Sequence, residues 1–147
     1  MPFYNGAYMG LDFRVQLLVN NSADDSPTVI ELPWLGNSLI RTTMAPLMPR
    51  DDEGFVTSVG DMPIDVNTPA HTSLVEMHRG IQREREELGN ELERDMRGDT
   101  DEPVSRWDEL YPRYKGLCEF SDLIAVSLAG IKRASKNPAI HARIIWC

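Results

Sequence analysis

The sequence predicts an α+β fold, with antiparallel strands in the first half and helices in the second. Three features carry that reading. Residues 11–19 alternate well between apolar and polar. Prolines at 33, 46, 49, 63 and 69 forbid a long helix across 33–70. Beyond Gly80 the text turns into charged and apolar residues repeating every three to four positions.

In 11–19, Leu11, Phe13, Val15, Leu17 and Val19 share one face, while Asp12, Arg14 and Gln16 lie on the other. That is the period of a half-buried strand. Residues 20–27 are turn-forming by composition, and Thr28-Val29-Ile30-Glu31-Leu32 reads as a second strand, so 11–32 is expected to form a hairpin with a long loop. Short strands are expected at about 37–44, 54–59 and 62–66, and the Gly80 that follows favours a further strand over 72–78. Residues 81–97 read as a helix with a thin stripe of Ile81, Leu88, Leu92 and Met96. Ser105 with Asp108 resembles a capping box opening a short helix at about 105–111, ended by Pro112. A second helix is expected at about 119–134, with Phe120, Leu123, Ile124, Leu128 and Ile131 on one side. Lys132-Arg133 stand at its C-terminal end, where cations suit the helix dipole. Ala139 to Trp146 reads as a closing strand. The organisation expected is one domain, 1–147, that is strand-rich over 1–78, helix-rich over 79–135 and closed by a strand at about 139–146.

A chain of 147 residues buries roughly 68–70% of its unfolded surface and needs no disulfide or metal staple. Cys118 and Cys147 do not make a disulfide framework and suit a reducing compartment. The start of the chain lacks the basic and apolar regions of a signal peptide, and no stretch approaches 18 apolar residues. The expectation is a protein that is not secreted and has no transmembrane segment.

Charge is unevenly distributed. Residues 1–78 carry three basic and ten acidic side chains, residues 79–111 six and eleven, and residues 112–147 six and two. The net charge of −8 argues against a dedicated duplex-DNA binder, because phosphates repel an acidic body. The basic last third is the exception. Arg113, Lys115, Lys132, Arg133, Lys136 and Arg143 are the candidate contacts to lipid or RNA phosphates; a solvated face that balances the acidic body is the plainer reading. Trp107, Tyr111, Tyr114 and Phe120 interleave with Arg106, Arg113 and Lys115, a pattern that suits stacking on single-stranded nucleic acid and equally suits core packing.

No motif points to catalysis. His71, His78 and His141 have no Cys or His neighbour at metal-ligand spacing. The acidic runs Asp24-Asp25 and Asp51-Asp52-Glu53 lack the alternation of a calcium loop. There is no nucleophile elbow and no phosphate-cradling glycine loop. The expectation is therefore no catalytic residue, no metal and no cofactor, in a protein that binds and assembles.

Several segments, in order, carry a resemblance. Leu32-Pro33-Trp34-Leu35, then Pro46-Leu47 with Pro49-Arg50, then Ile64-Asp65-Val66, His71 and Ser73-Leu74-Val75 resemble a stretch of bornavirus matrix proteins, with spacing off by one residue in places. Trp107-Asp108 and Phe120-Ser121-Asp122, ahead of Lys132-Arg133, are similar to a C-terminal stretch of rhabdovirus matrix proteins. Residues 81–111 are more helical and charged than the bornavirus pattern. Tyr111-Pro112 followed by Leu117 falls short of a Tyr-Pro-x-Leu budding motif because the gap is too long.

The resemblance implies a matrix protein of a non-segmented negative-strand RNA virus, of bornavirus or nyamivirus kind. It implies a twisted antiparallel β-sandwich or barrel-like sheet with packed helices, mostly in the C-terminal half. It implies self-association into homo-oligomers, peripheral contact with an anionic membrane, and binding to viral nucleocapsid or RNA during assembly and budding. The location implied is the virion beneath the envelope, and the host cytoplasm or nucleus. The net negative charge departs from the basic balance usual in membrane-binding matrix proteins, so any lipid contact is expected in 112–147. The alternative is a small acidic viral or phage accessory protein that binds and inhibits a basic host partner through the charged helix at 81–97.

Overall fold

Alternation in the first strand and in the last places both at the centre of one sheet. The computed structural model describes residues 12–20, 26–36, 38–54, 59–98 and 106–147. In chain order the elements are β1 (Phe13–Val19), β2 (Thr28–Glu31), α1 (Ser38–Met44), β3 (Gly60–Pro63), α2 (Pro69–Arg97), α3 (Trp107–Lys136) and β4 (Ile140–Trp146). A single 3₁₀ turn, Ala45–Leu47, follows α1. The fold is α+β: a four-stranded antiparallel sheet in the order β2-β1-β4-β3, with the two long helices in the C-terminal half. The second layer over the sheet is helical.

The expected hairpin of the first two strands is present, with Leu17 opposite Ile30 and Gln16 opposite Glu31. Strand β4 inserts beside β1, pairing Phe13 with Trp146 and Val19 with Ile140. One face of this pair is apolar and buried: Phe13, Val15 and Leu17 from β1, with Ile140, Ala142, Ile144 and Trp146 from β4. Helix α3 lies against β1 and β4 on that face, and α2 packs along α3 and against α1. Their inward side chains, among them Ile40, Met44, Leu74, Ile81, Ile124 and Ile131, complete the core. Gly60 is required where β3 meets β4, because a Cβ there would stand 2.4 Å from Cζ2 of the buried Trp146 ring.

Four expected elements differ from the structure. Residues 38–44 are helix α1, not a strand, because Ile40 and Met44, four apart, fill one buried helical face. Residues 72–78 are helical too. Pro69 sits at the first helical position, where its missing N–H costs nothing. Ala70, Leu74, Met77 and Ile81 then recur at helical spacing on the buried side. Gly80 is exposed and does not break the helix; α2 ends instead at Gly98, which adopts the left-handed conformation (φ 71°) and caps the carbonyls of Arg94 and Asp95. The boundary between strand-rich and helix-rich parts therefore falls near residue 69 rather than 79, with α1 a helix inside the strand-rich part. The helix expected to stop at Pro112 continues as α3 through Pro112 to Lys136. Proline there removes one bond to the Asp108 carbonyl in an exposed early turn, and thirty residues of packing outweigh that loss.

The third short strand runs Gly60–Pro63 rather than 62–66: Ile64 N–H still donates to the Ala142 carbonyl, and Asp65 then begins a turn. Of the strand expected at 54–59, residues 55–58 lie outside the described residues, and Gly54 is in a turn with φ 87°. Ser105 of the capping box also lies outside them. Helix α3 starts after Arg106, whose carbonyl accepts from Glu109 and Leu110.

At about 1.5 Å per residue, α2 and α3 are each about 45 Å long, whereas a seven-residue strand spans about 23 Å. The helical pair thus runs past the sheet, and a second small cluster of Leu88, Leu92 and Leu110 holds the far part together, with Trp107, Tyr114 and Leu117 packed on it.

Candidate functional site

The open face of the sheet carries a polar ladder that crosses all four strands. Gln16 of β1 is opposite both Glu31 of β2 and Arg143 of β4. Side chains directly opposite in antiparallel strands share a face, so the three meet. Arg143 Nε donates to Gln16 Oε1 at 2.7 Å, and Gln16 Nε2 donates to Glu31 Oε1 at 3.0 Å. Arg143 Nη1 pairs with Asp61 of β3 at 3.0 Å, and Arg14 pairs with Glu31 at 2.9 Å. The Trp34 ring covers the Arg14 guanidinium at 4.3 Å, a cation–π contact. The result is a polar face whose central Gln16 is only 6% exposed.

The six basic residues singled out in the sequence separate into two kinds. Arg143 is committed to the ladder. Arg113 is committed to Glu84 across the α2–α3 interface, at 2.5 Å. Lys115, Lys132, Arg133 and Lys136 are exposed on α3 and form no ion pair with a described residue. Lys132, Arg133 and Lys136 stand within two turns at the C-terminal end of the helix; Lys115 lies about 26 Å back along it. The structure thus brings three of the six together.

Beside that helix end is a cleft of about 710 Å³, whose walls are the end of α3, the start of β4 and residues 63–67. Lys136, His141 and Arg143 line it, as do Asp61 and Asp65. Both walls are held by hydrogen bonds. Ile64 N–H donates to the Ala142 carbonyl (3.1 Å) and Val66 N–H to Ser135 Oγ (3.3 Å). Asn67 N–H donates to Asp65 Oδ1 (2.7 Å), and on the far wall Ala139 N–H donates to Asn137 Oδ1 (2.9 Å). Strand alternation in 139–146 puts His141 and Arg143 on one face, so their presence on one side of the last strand follows from the sequence. The arrival of 63–67 beside them does not, because it depends on where β3 joins the sheet.

His78 and the aromatics have packing roles. His78 Nε2 lies 3.3 Å from Ser121 Oγ, linking α2 to α3, and Ser121 is 2% exposed. A hydroxyl so enclosed is out of reach of a dissolved substrate. Trp107 stacks on Tyr111 with centroids 5.2 Å apart. Trp107 and Tyr114 pack on the second leucine cluster and Phe120 on the main core, which occupies three of the four aromatics considered for base stacking. The neighbouring Cys118 thiol, chiefly through a side-chain hydrogen bond, raises the Tyr114 hydroxyl above the usual tyrosine pKa. No cluster of three or more metal-ligating side chains occurs among the described residues, and no helix among them is long and apolar enough to cross a membrane.

Comparison with protein-family models, with curated proteins and with solved structures gave no match to this chain.

Proposed function

We propose that this chain is a matrix-type assembly protein of a non-segmented negative-strand RNA virus, which self-associates and presents the C-terminal end of α3 to an anionic surface, the inner leaflet of an envelope or the ribonucleoprotein. One observation carries the reading. In a chain of net charge −8, Lys132, Arg133 and Lys136 are exposed together and form no ion pair with a described residue. Arg113 and Arg143, by contrast, are engaged within the fold. Basic side chains near an anionic membrane are worth about 1 kcal/mol each, so three give an affinity gain of roughly 100-fold that salt removes. The ordered resemblance at residues 32–75 adds the viral setting.

Co-sedimentation with vesicles containing phosphatidylserine tests this, together with light scattering for self-association. The wild type should bind at 0.1 M salt and release at 0.5 M, and the triple variant Lys132→Glu, Arg133→Glu, Lys136→Glu should not bind. A monomer that ignores anionic vesicles and RNA at low salt overturns the proposal.

The second reading, an acidic accessory protein, draws on the far half of α2. Glu86 and Glu87 are exposed there, on the part of the helix that runs past the sheet. Capture of one basic protein, lost on Glu86→Lys with Glu87→Lys and accompanied by no vesicle binding, would favour it.

A further inference from the structure

The cleft between 63–67 and the α3–β4 turn has the features of a built ligand site. Its volume, about 710 Å³, falls in the range of roughly 300–1,000 Å³ typical of small-molecule sites. Its walls are fixed by hydrogen bonds of their own, so little ordering would be needed on binding. The floor and rim include the apolar surfaces of Leu18, Pro63 and Pro138.

Its polar groups are not equally available. Asp61 is paired with Arg143 at 3.0 Å, and Asp65 accepts the Asn67 N–H of its own turn. The Lys136 ammonium and the His141 imidazole have no hydrogen bond or ion pair with a described residue, and both are exposed. Lys132 stands one helical turn before Lys136, on the same side of α3. Lys136 and His141 thus offer N–H groups that no described residue engages, in a cleft that also holds an apolar surface and the Asp65 carboxylate.

We infer that this cleft binds a small amphiphilic anion, with a single phosphate or carboxylate head held by Lys136 and His141 and an apolar body resting on Leu18, Pro63 and Pro138. The inference rests on the lining of the cleft and shares only Lys136 with the assembly face. The head group belongs either to a free small molecule or to a lipid, and the chemistry is the same.

Octyl phosphate is the probe, titrated into the ¹⁵N-labelled full chain, with octyl glucoside as the uncharged probe of equal tail. Saturable shifts at the amides of 64–67 and 135–142 are expected with octyl phosphate. Lys136→Gln and His141→Ala should each weaken it about ten-fold. Both side chains are exposed, so these variants should keep the wild-type melting temperature. Lys115→Gln, far along the helix, should bind as wild type. Equal binding of octyl glucoside overturns the inference, as does unchanged affinity in both cleft variants. Displacement of octyl phosphate by phosphatidylserine vesicles identifies a lipid head as the source; persistence identifies a free molecule. Vesicle binding that is lost in Lys132→Glu, Arg133→Glu while octyl phosphate binding persists separates this site from the assembly face.

Discussion

Arg143 shows how one side chain can be claimed by the fold. Its guanidinium holds Gln16 Oε1 and Asp61 Oδ2 at once, a forked geometry that an ammonium cannot reproduce. Gln16 is nearly buried, so loss of its donor leaves a carbonyl oxygen without a partner and without water. That costs about 1–3 kcal/mol. Arg143→Ala is thus expected to lower stability by about that amount in urea unfolding with an unchanged m-value, and Arg143→Lys to recover part of it. A change under about 0.5 kcal/mol would show that water replaces the ladder. The basic residues of the last third looked equivalent in the sequence, because side-chain type and spacing do not reveal which cation meets a carboxylate. Arg113 meets Glu84 across a helix interface and Arg143 meets Asp61 across a strand pair. Both partners are set by tertiary pairing.

At the scale of elements, the strands of the first and last segments were legible because period-two alternation survives in both. The helices were legible in the middle and misjudged at their ends, and the cause is specific. Residues 72–78 contain the β-formers Thr72 and Val75, and Gly80 follows. Yet Leu74, Met77 and Ile81 lie on one helical face against α3 and α1, and burial outweighs local preference. Helix α3 tolerates Pro112 for the same reason. Glycines left inside these helices then mark recoverable stability. A Cβ added at Gly80 or at Gly116 meets nothing within 4 Å. Gly80→Ala and Gly116→Ala are each expected to stabilise by about 0.5–1 kcal/mol, from helix propensity and the smaller entropy of the unfolded chain. Thermal unfolding checks this, and an unchanged or lowered midpoint in both would mean that neither helix is continuous at these glycines in solution.

For the whole molecule, the unequal lengths of helices and sheet create two levels of support. Residues 70–81 and 121–134 are anchored in the main core, where Leu74, Ile124 and Ile131 are fully buried. The far part of the helical pair depends on Leu88, Leu92 and Leu110, with partly buried Trp107, Tyr114 and Leu117 around them. Regions with few buried apolar contacts open locally at lower free energy than the core. Truncating a buried leucine costs about 2–5 kcal/mol, an amount that a cluster of three leucines cannot spread over other contacts. Leu92→Ala is therefore expected to release the amides of 86–97 and 107–117 to fast hydrogen exchange. The amides of β1 and β4, which pair along seven residues over the main core, should keep their protection. A helical end that opens while the sheet stays folded would let a partner remodel the charged surface of α2 without disturbing the basic corner and the cleft at the other end of α3. If β1 and β4 lose protection in step with residues 86–97, helices and sheet form one cooperative unit, and no such separation exists.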